Sequence, residues 1–446
     1  MKFTVYYSDP TVTSAAGFGR VAHLPCIFDN RPGYHRLASR YLIDRGLGLW
    51  NPTTRSSIHK GHLPTDQTIR NYAHWLVNFL EWAEIRGIDI DTCTYREHIQ
   101  GRYQAEMLCG MWSSNGKGLS PRTVNLRVQQ ACDYLLWLED NGHRTAFYIP
   151  YIYKTQRNEV MNSTGTSGAT VKLRRGKVLQ GSRSLHMPTL DLVKIWLASV
   201  YRASDYTMGL MCETVLLTGL RREETACLRL DTIPDPIDWH ISNPDAPESS
   251  QKVQIEVKYG TKGPCFGYEN GDKIGPRRWI WIPLHLANRL YEYRMKVRNK
   301  GLKIWVNAAS TIAEKNLRIK NSVHLFIDEK SGRRLTARHL YFAWTKVPPV
   351  VKGWSPHKGR HWWACTTLMQ EMLKHERLLE LGIGTATALL ESNVMTILRL
   401  QIQPQLGHSS DSTTMIYVKW AVEMFGDGLP NILEEIDRVE ENGIPK

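Results

Sequence analysis

The sequence predicts a multidomain chain, in which a compact all-α domain over 62–153 precedes a larger α+β domain over 189–427 holding a small antiparallel sheet. Three observations lead there. The 446 residues exceed the roughly 100–200 of one ordinary domain. Apolar residues recur at three and four along most of the chain after Pro64, and alternation with period two is confined to one region. Between these patterns, a Gly/Ser/Thr-rich stretch over 154–188 reads as a linker.

Residues 1–61 show no sustained periodicity and carry the turn formers Asn30-Arg31-Pro32-Gly33, so they are expected to be an irregular N-terminal extension. From Thr65 or Asp66, the spacing of Ile69, Tyr72, Leu76, Phe79, Leu80 and Ala83 predicts an amphipathic helix stopped at Gly87. A weaker helix covers about Tyr95 to Trp112. Ser120-Pro121 then supplies an N-cap and a first-turn proline to a helix bearing Val124, Val128, Ala131, Leu135 and Leu138, which Gly142 ends. After Pro188 come helices over Leu190 to Val200 and Met208 to Leu217, a break at Thr218-Gly219, and a resumption to Leu230. Val253, Ile255 and Val257 alternate with polar residues, and Trp279-Ile280-Trp281-Ile282 before Pro283 reads as their partner strand. Helical patterns return, including Met369 to Lys374 and Thr387 to Leu400. Over 428–446, Leu429, Ile432, Leu433, Ile436 and Val439 form an apolar stripe with glutamates outside it.

Charge narrows the choice of partner. Fifty-seven Lys and Arg against 43 Asp and Glu give a formal net charge of +14, which favours a polyanion, nucleic acid before an anionic membrane surface. No apolar run approaches the ~18–20 residues of a membrane span, and the N-terminus lacks the apolar core of a signal peptide. The eight cysteines form no CxxC pair, so neither a zinc ribbon nor a disulfide framework is legible, and a reducing cytoplasm is the expected home. Candidate DNA contacts are Arg122, Thr123, Asn125 and Arg127 on the polar side of the Pro121 helix, with Arg174 and Arg175 of the basic linker. Each is equally compatible with a solvated polar face.

Five segments of the second domain hold residues suited to a phosphodiester. In Thr218-Gly219-Leu220-Arg221-Arg222-Glu223-Glu224, a glycine break aims Arg221 outward, and Glu224, three residues on, is placed to orient it. Tyr259-Gly260-Thr261-Lys262-Gly263 leaves a strand, and a lysine on such a turn can protonate a leaving oxygen; Lys258 and Lys273 are rivals by position. His357 and Arg360 of Ser355-Pro356-His357-Lys358-Gly359-Arg360-His361 lie three apart on a helix and can face one pocket. His357 and His361 have zinc-like spacing, but no glutamate stands where an HExxH site needs it, and Arg360 would repel a cation. Leu406-Gly407-His408 precedes Tyr417 by nine residues. A tyrosine hydroxyl, with a reference pKa of about 10, needs surrounding positive charge to attack a phosphate.

Taken together and in order, TGLRREE, YGTKG, HKGRH, LGH and the tyrosine resemble the active-site pattern of the tyrosine recombinases, the phage integrase family, over about 187–420. The resemblance implies a SAM-like core-binding domain at 62–150 and a tyrosine-recombinase catalytic domain after it. It implies that Tyr417 attacks DNA to give a 3′-phosphotyrosyl bond, that Arg221 and Arg360 clamp the phosphate, that His357 and His408 assist, and that Lys262 protonates the leaving oxygen. No metal, ATP or other cofactor is implied. The expected partners are double-stranded DNA bearing recombination sites, further copies of the chain, a tetramer in the synapse, with the 428–446 helix docking on a neighbour, and accessory or sister recombinases; a mobile element is the expected source. Two departures from the pattern stand out. Cys265 to Gly275 separates Lys262 from the return strand, and the chain between His361 and Leu406 is long. The rival readings are a type IB topoisomerase-like enzyme and a catalytically inactive accessory DNA-binding protein of the same fold.

Overall fold

The structure is a computed structural model and describes residues 3–30, 33–55, 63–156, 169–179, 181, 185–373, 394–408 and 411–426. The described chain is rich in helix with small antiparallel sheets and divides into two units, Met1–Ser182 and Arg183–Lys446. No helix among the described residues is long and apolar enough to cross a membrane.

In the first unit, β1 (Phe3–Tyr6), β2 (Cys26–Asp29) and β3 (Gly33–Tyr34) form an antiparallel sheet, followed by α1 (Arg36–Gly46). The expectation of an irregular extension over 1–61 is therefore corrected. Ile27, Ala38, Tyr41 and Leu42 share one core with Leu76, Phe79 and Leu80 of α2 (Asp66–Ile85). The strands here are two to four residues long, too short for periodicity to register. Helix α2 starts at its Thr65 cap, as its spacing predicts. A π-wound stretch, Tyr95–Gln104, runs on as α3 (Ala105–Cys109) and ends at left-handed Gly110; α4 (Pro121–Asp140) is capped by Ser120. The apolar faces of α2 and α4 meet in the core, and Gln130 donates to the buried Tyr41 hydroxyl at 2.7 Å.

The 154–188 stretch is not simply a linker. Strands β4 (Tyr151–Gln156) and β5 (Ala169–Arg174) pair antiparallel, and the chain after them is fastened to the helices of its own unit. The Arg174 guanidinium is buried against the Tyr95 hydroxyl and Gln104, and Asn125 exchanges hydrogen bonds of 2.8 and 3.0 Å with the Val178 backbone. Both side chains are consumed in holding this segment, which removes Asn125 and Arg174 from the exposed set read as DNA contacts.

The second unit opens with α5 (Leu190–Ala203), α6 (Tyr206–Thr218) and the single-turn α7 (Arg222–Ala226). Its sheet has the order β6-β7-β9-β8, with β6 (Ile241–Ser242), β7 (Lys252–Tyr259), β8 (Gly267–Glu269) and β9 (Asp272–Pro283) all antiparallel. Val253 faces Ile282 and Ile255 faces Ile280, so the alternating residues bury one face against α6. The return strand begins at Asp272, not Trp279, and β8 fills the gap that separated Lys262 from it in the sequence. The chain continues through α8 (Leu284–Met295), α9 (Val297–Asn307), α10 (Ile312–Asn321), α11 (Ala337–Thr345) and α12 (Pro356–Leu373). A π turn, Leu398–Ile402, leads to α13 (Gln403–Leu406), and α14 spans Asp411–Gly426. Of the stretches expected to be helical, 369–373 falls in α12 and 394–400 is helical up to the π turn, while Lys374, 387–393 and 428–446 lie outside the described residues.

Asp272, at the turn of the β8–β9 hairpin, is buried and pairs with Arg229 at 3.3 Å, His324 at 2.7 Å and Arg334. Burial opposes its ionised form, but the hydrogen bond and charge of His324 and the charge of Arg334 outweigh that and hold its carboxyl below the ordinary range. Asp272→Asn keeps the volume and loses the charge, and is expected to cost about 2–3 kcal/mol in urea unfolding, the scale of a hydrogen bond to a charged group. An unchanged midpoint would show that the cluster does not anchor the hairpin.

Candidate active site

The site is organised by one carboxylate. Glu224, in the first turn of α7, is fully buried and accepts from the Arg221 backbone N–H and guanidinium, both at 2.8 Å. From β9, Arg278 grips the same carboxylate with two bonds of 2.8 and 2.7 Å, and the Arg360 Nη1 lies 3.9 Å away. Burial alone would raise the Glu224 carboxyl. The hydrogen bonds and charge of Arg278, with the charges of Arg221 and Arg360, reverse the effect and hold it at about 2.

Arg360 is 3% exposed, and its guanidinium joins two helix ends. Helices α6 and α13 both stop at left-handed glycines, Gly219 (φ +67°) and Gly407 (φ +60°), where a Cβ would strike Trp363 in the first case and crowd the Arg278 side chain in the second. Such endings leave carbonyls pointing out of the helix with partial negative charge. Arg360 donates to the Gly219 carbonyl at 2.6 Å and to that of Leu406. Burial first, then the charge of Arg221, lowers Arg360 to about 9, so it remains charged at neutral pH. Gly359 brings α12 against the Trp344 ring, where a Cβ would have 2.4 Å of room.

A cleft of about 310 Å³ opens beside this cluster, lined by Arg221, Arg222, Glu223, Tyr341, Ser355, Pro356, His357 and Arg360. Arg221 keeps 23% of its side chain exposed there. Three guanidinium groups around one carboxylate leave two positive charges over, which suits an anion whose charge grows from one to two along a phosphoryl-transfer path. Lys262 stands exposed on the β7–β8 turn and makes no hydrogen bond or ion pair among the described residues. Its rivals are engaged: Lys258 faces Asp231 at 3.9 Å, and Lys273 donates to the Gly263 carbonyl at 2.6 Å. Lys262 is near enough for its charge to act on His357, which burial first and then Arg360, Arg221 and Lys262 hold below the ordinary histidine range.

Tyr417, on α14, does not line the cleft. It is 0% exposed within an apolar cluster of Ala364, Cys365, Leu368 and Leu406, and burial pushes its phenol up, against the opposing charge of Arg360. Its hydroxyl lies 2.9 Å from His361 Nδ1. His408 stacks nearly parallel to the Tyr417 ring at 6.3 Å and reaches Thr414 Oγ1 at 3.5 Å. Burial, then Arg360 and Arg221, lowers His408 to about 4.

The structure thus gathers Arg221, Arg360, His357, His408 and Tyr417, with Lys262 at the edge. Sequence reasoning missed two members. Arg278 shares the inward face of β9 with Ile280 and Ile282, and a charge at an inward strand position is the signal that could have exposed it. His361 was weighed only as a metal ligand, whereas the structure spends it on Tyr417 and His357. In the first unit Arg122 and Arg175 are exposed, Thr123 closes on its Ser120 cap, and Arg127 donates to Asn78 at 3.0 Å.

No family model matches the chain, and no curated protein does. Among solved structures, the chain is similar to tyrosine recombinases. The XerH site-specific recombinase bound to a palindromic difH substrate, a post-cleavage complex, is 13% identical, with 88% of each chain covered and a TM-score of 0.45. The Tn1549 transposon integrase in complex with circular intermediate DNA is 15% identical, covering 86% of this chain and 94% of that one at a TM-score of 0.43. The XerA recombinase is 15% identical over 82% of this chain and 92% of its own, with a TM-score of 0.30.

Proposed function

We propose that the chain is a site-specific tyrosine recombinase that cleaves and rejoins double-stranded DNA through a 3′-phosphotyrosyl bond to Tyr417. One observation carries it: two arginines, Arg221 and Arg360, are locked by a shared buried carboxylate at a cleft, with a tyrosine hydroxyl on a histidine of the same helix as Arg360. The two guanidinium forks clamp the non-bridging oxygens of the scissile phosphate and gain strength as charge builds there. Lys262 protonates the departing 5′-oxygen, and His357 and His408 assist by hydrogen bonding and proton transfer. Attack requires Tyr417 to leave its buried position, so DNA binding is coupled to a shift of α14. The phosphotyrosyl bond conserves the energy for rejoining, so the proposed reaction draws on neither ATP nor a metal. Exchange between two duplexes needs several copies of the chain, and a mobile element is the natural source of such an enzyme.

The test is covalent trapping: the protein is incubated in chelator with nicked DNA from the ends of its own element, and the adduct is digested to locate the nucleotide remnant. A remnant on Tyr417 is the expected result; bound DNA without any adduct, or a remnant elsewhere, would favour an accessory DNA-binding role. Arg221→Ala and Arg360→Ala are each expected to slow adduct formation by 10²–10³-fold, about 3 kcal/mol or more, the scale of one lost transition-state donor. Wild-type rates in both would remove them from the site.

A further inference from the structure

We propose that His361 takes the proton of Tyr417 and hands it through His357 to solvent, so that the nucleophile is deprotonated by a chain of two imidazoles. The inference rests on the recombinase reading above and assigns a catalytic residue beyond the six that the motif pattern supplies.

Geometry sets the chain out. His357 and His361 are four apart on α12 and so share one face. Their Nε2 atoms are 3.2 Å apart, and His361 Nδ1 is 2.9 Å from the Tyr417 hydroxyl. One set of tautomers satisfies every contact: Tyr417 Oη–H donates to His361 Nδ1, His361 Nε2–H donates to His357 Nε2, and His357 Nδ1–H is left for water in the cleft. The chain runs from a fully buried hydroxyl, through a half-buried ring, to His357, which is exposed and lines the cleft. His408 offers no such path, since its ring stacks beside Tyr417 and its Nδ1 faces Thr414.

The charges around the chain make it responsive to substrate. His361 is faced by His357, Lys358 and Arg360 on its own helix, by Tyr417 on α14 and by His408 after α13, while Cys365 acts on Tyr417. Burial first, then His357, Arg360 and Lys358, lowers it to about 4, while Arg360, Arg221 and Lys262 add to burial in lowering His357. Both rings are therefore neutral at pH 7, as a proton acceptor must be, but weak as bases. A phosphodiester entering the cleft offsets the charge of Arg360 at both rings and of Arg221 at His357, and so relieves the part of the depression that is due to charge while leaving the larger part due to burial.

The step balances. The Tyr417 Oη–H bond breaks first, at the buried position where the hydroxyl meets His361; the oxyanion then moves with α14 to the phosphate, and P–O5′ breaks as Oη–P forms, with Lys262 supplying the proton for O5′. The phenolic proton arrives on His361 Nδ1, the Nε2 proton moves to His357 Nε2, and His357 Nδ1 releases one to solvent. Rejoining runs the chain backwards.

The experiment is single-turnover adduct formation on nicked DNA between about pH 5.5 and 9, for the full chain and for His361→Asn, His361→Ala and Tyr417→Phe. Asparagine can keep a hydrogen bond to Tyr417 but cannot take up its proton. His361→Asn is expected to bind DNA normally, to cleave about 100-fold or more slowly at neutral pH, the lower range for a lost general base, and to show a rate rising with hydroxide across the range. Added imidazole should restore rate to His361→Ala and not to His361→Asn. If His361→Asn does not fold, His357→Asn at the exposed end of the chain should give the same change of pH profile. A wild-type rate and profile in His361→Asn overturns the relay while leaving the recombinase reading intact, provided Tyr417→Phe forms no adduct. A faster rate overturns it too, making the contact a latch that holds Tyr417 back. Absence of adduct from the wild-type protein on bound DNA removes the recombinase reading and the relay with it.

Discussion

Tyr417→Phe is expected to fold and bind DNA like the parent protein and to form no covalent adduct at all. The two effects separate because the proposed reaction uses only the hydroxyl, whereas the packing uses the ring. Its ring packs among Ala364, Cys365, Leu368 and Leu406, and phenylalanine keeps that packing. The hydroxyl's bond to His361 is worth about 0.5–1.5 kcal/mol net, small beside the roughly 5–15 kcal/mol that holds a typical domain folded. For chemistry the loss is total, since phenylalanine has no oxygen to attack phosphorus. Thermal melts, a DNA-binding isotherm and a denaturing gel read the three quantities. An adduct that survives in Tyr417→Phe assigns the nucleophile to another residue.

Glu224→Ala is expected to damage the fold as well as the site. It strands Arg221, Arg278 and Arg360 around an empty volume, and breaking a buried ion pair from one side costs about 3–5 kcal/mol. Glu224→Gln keeps the shape and isolates the charge. The folded-state carboxyl, at about 2, lies below its unfolded value of about 4.3. Its contribution is therefore fully present above the unfolded value and fades as pH falls from there through about 2. At neutral pH it amounts to about 3 kcal/mol. Denaturant melts of parent and Glu224→Gln at pH 7, 4 and 2.5 should show a gap that narrows with acid. A constant gap, or none, would falsify the view of Glu224 as the carboxylate that assembles the site.

How much of this was legible in the chain differs from element to element. Helices α2 and α4 could be read end to end because each carries its own cap, its own glycine stop and an apolar face repeated over five turns. Strand β7 could be read from Val253, Ile255 and Val257, but β9 was started seven residues late, because Asp272 to Arg278 carry charge and glycine where a buried strand is expected to be apolar. The three short strands before α1 escaped notice for lack of length. Asn125 and Arg174 were placed outside because polar residues are read as solvated by default, and what holds them inside is a segment some fifty residues away in one case and seventy or more in the other.

The sequence by itself determined the long capped helices, the alternating strand β7 and the chemical types that could act on a phosphate, because helix caps, periodicity and motif spacing are local properties of the chain. Only the tertiary structure decided which side chains meet. Glu224, Arg278 and Arg360 are separated by 54 and then 82 residues, and their pairing depends on α7, β9 and α12 being packed round one core. The same packing sets His361 against Tyr417, 56 positions away. A buried charge must find its counter-charge wherever the fold brings one, and no local pattern carries that information.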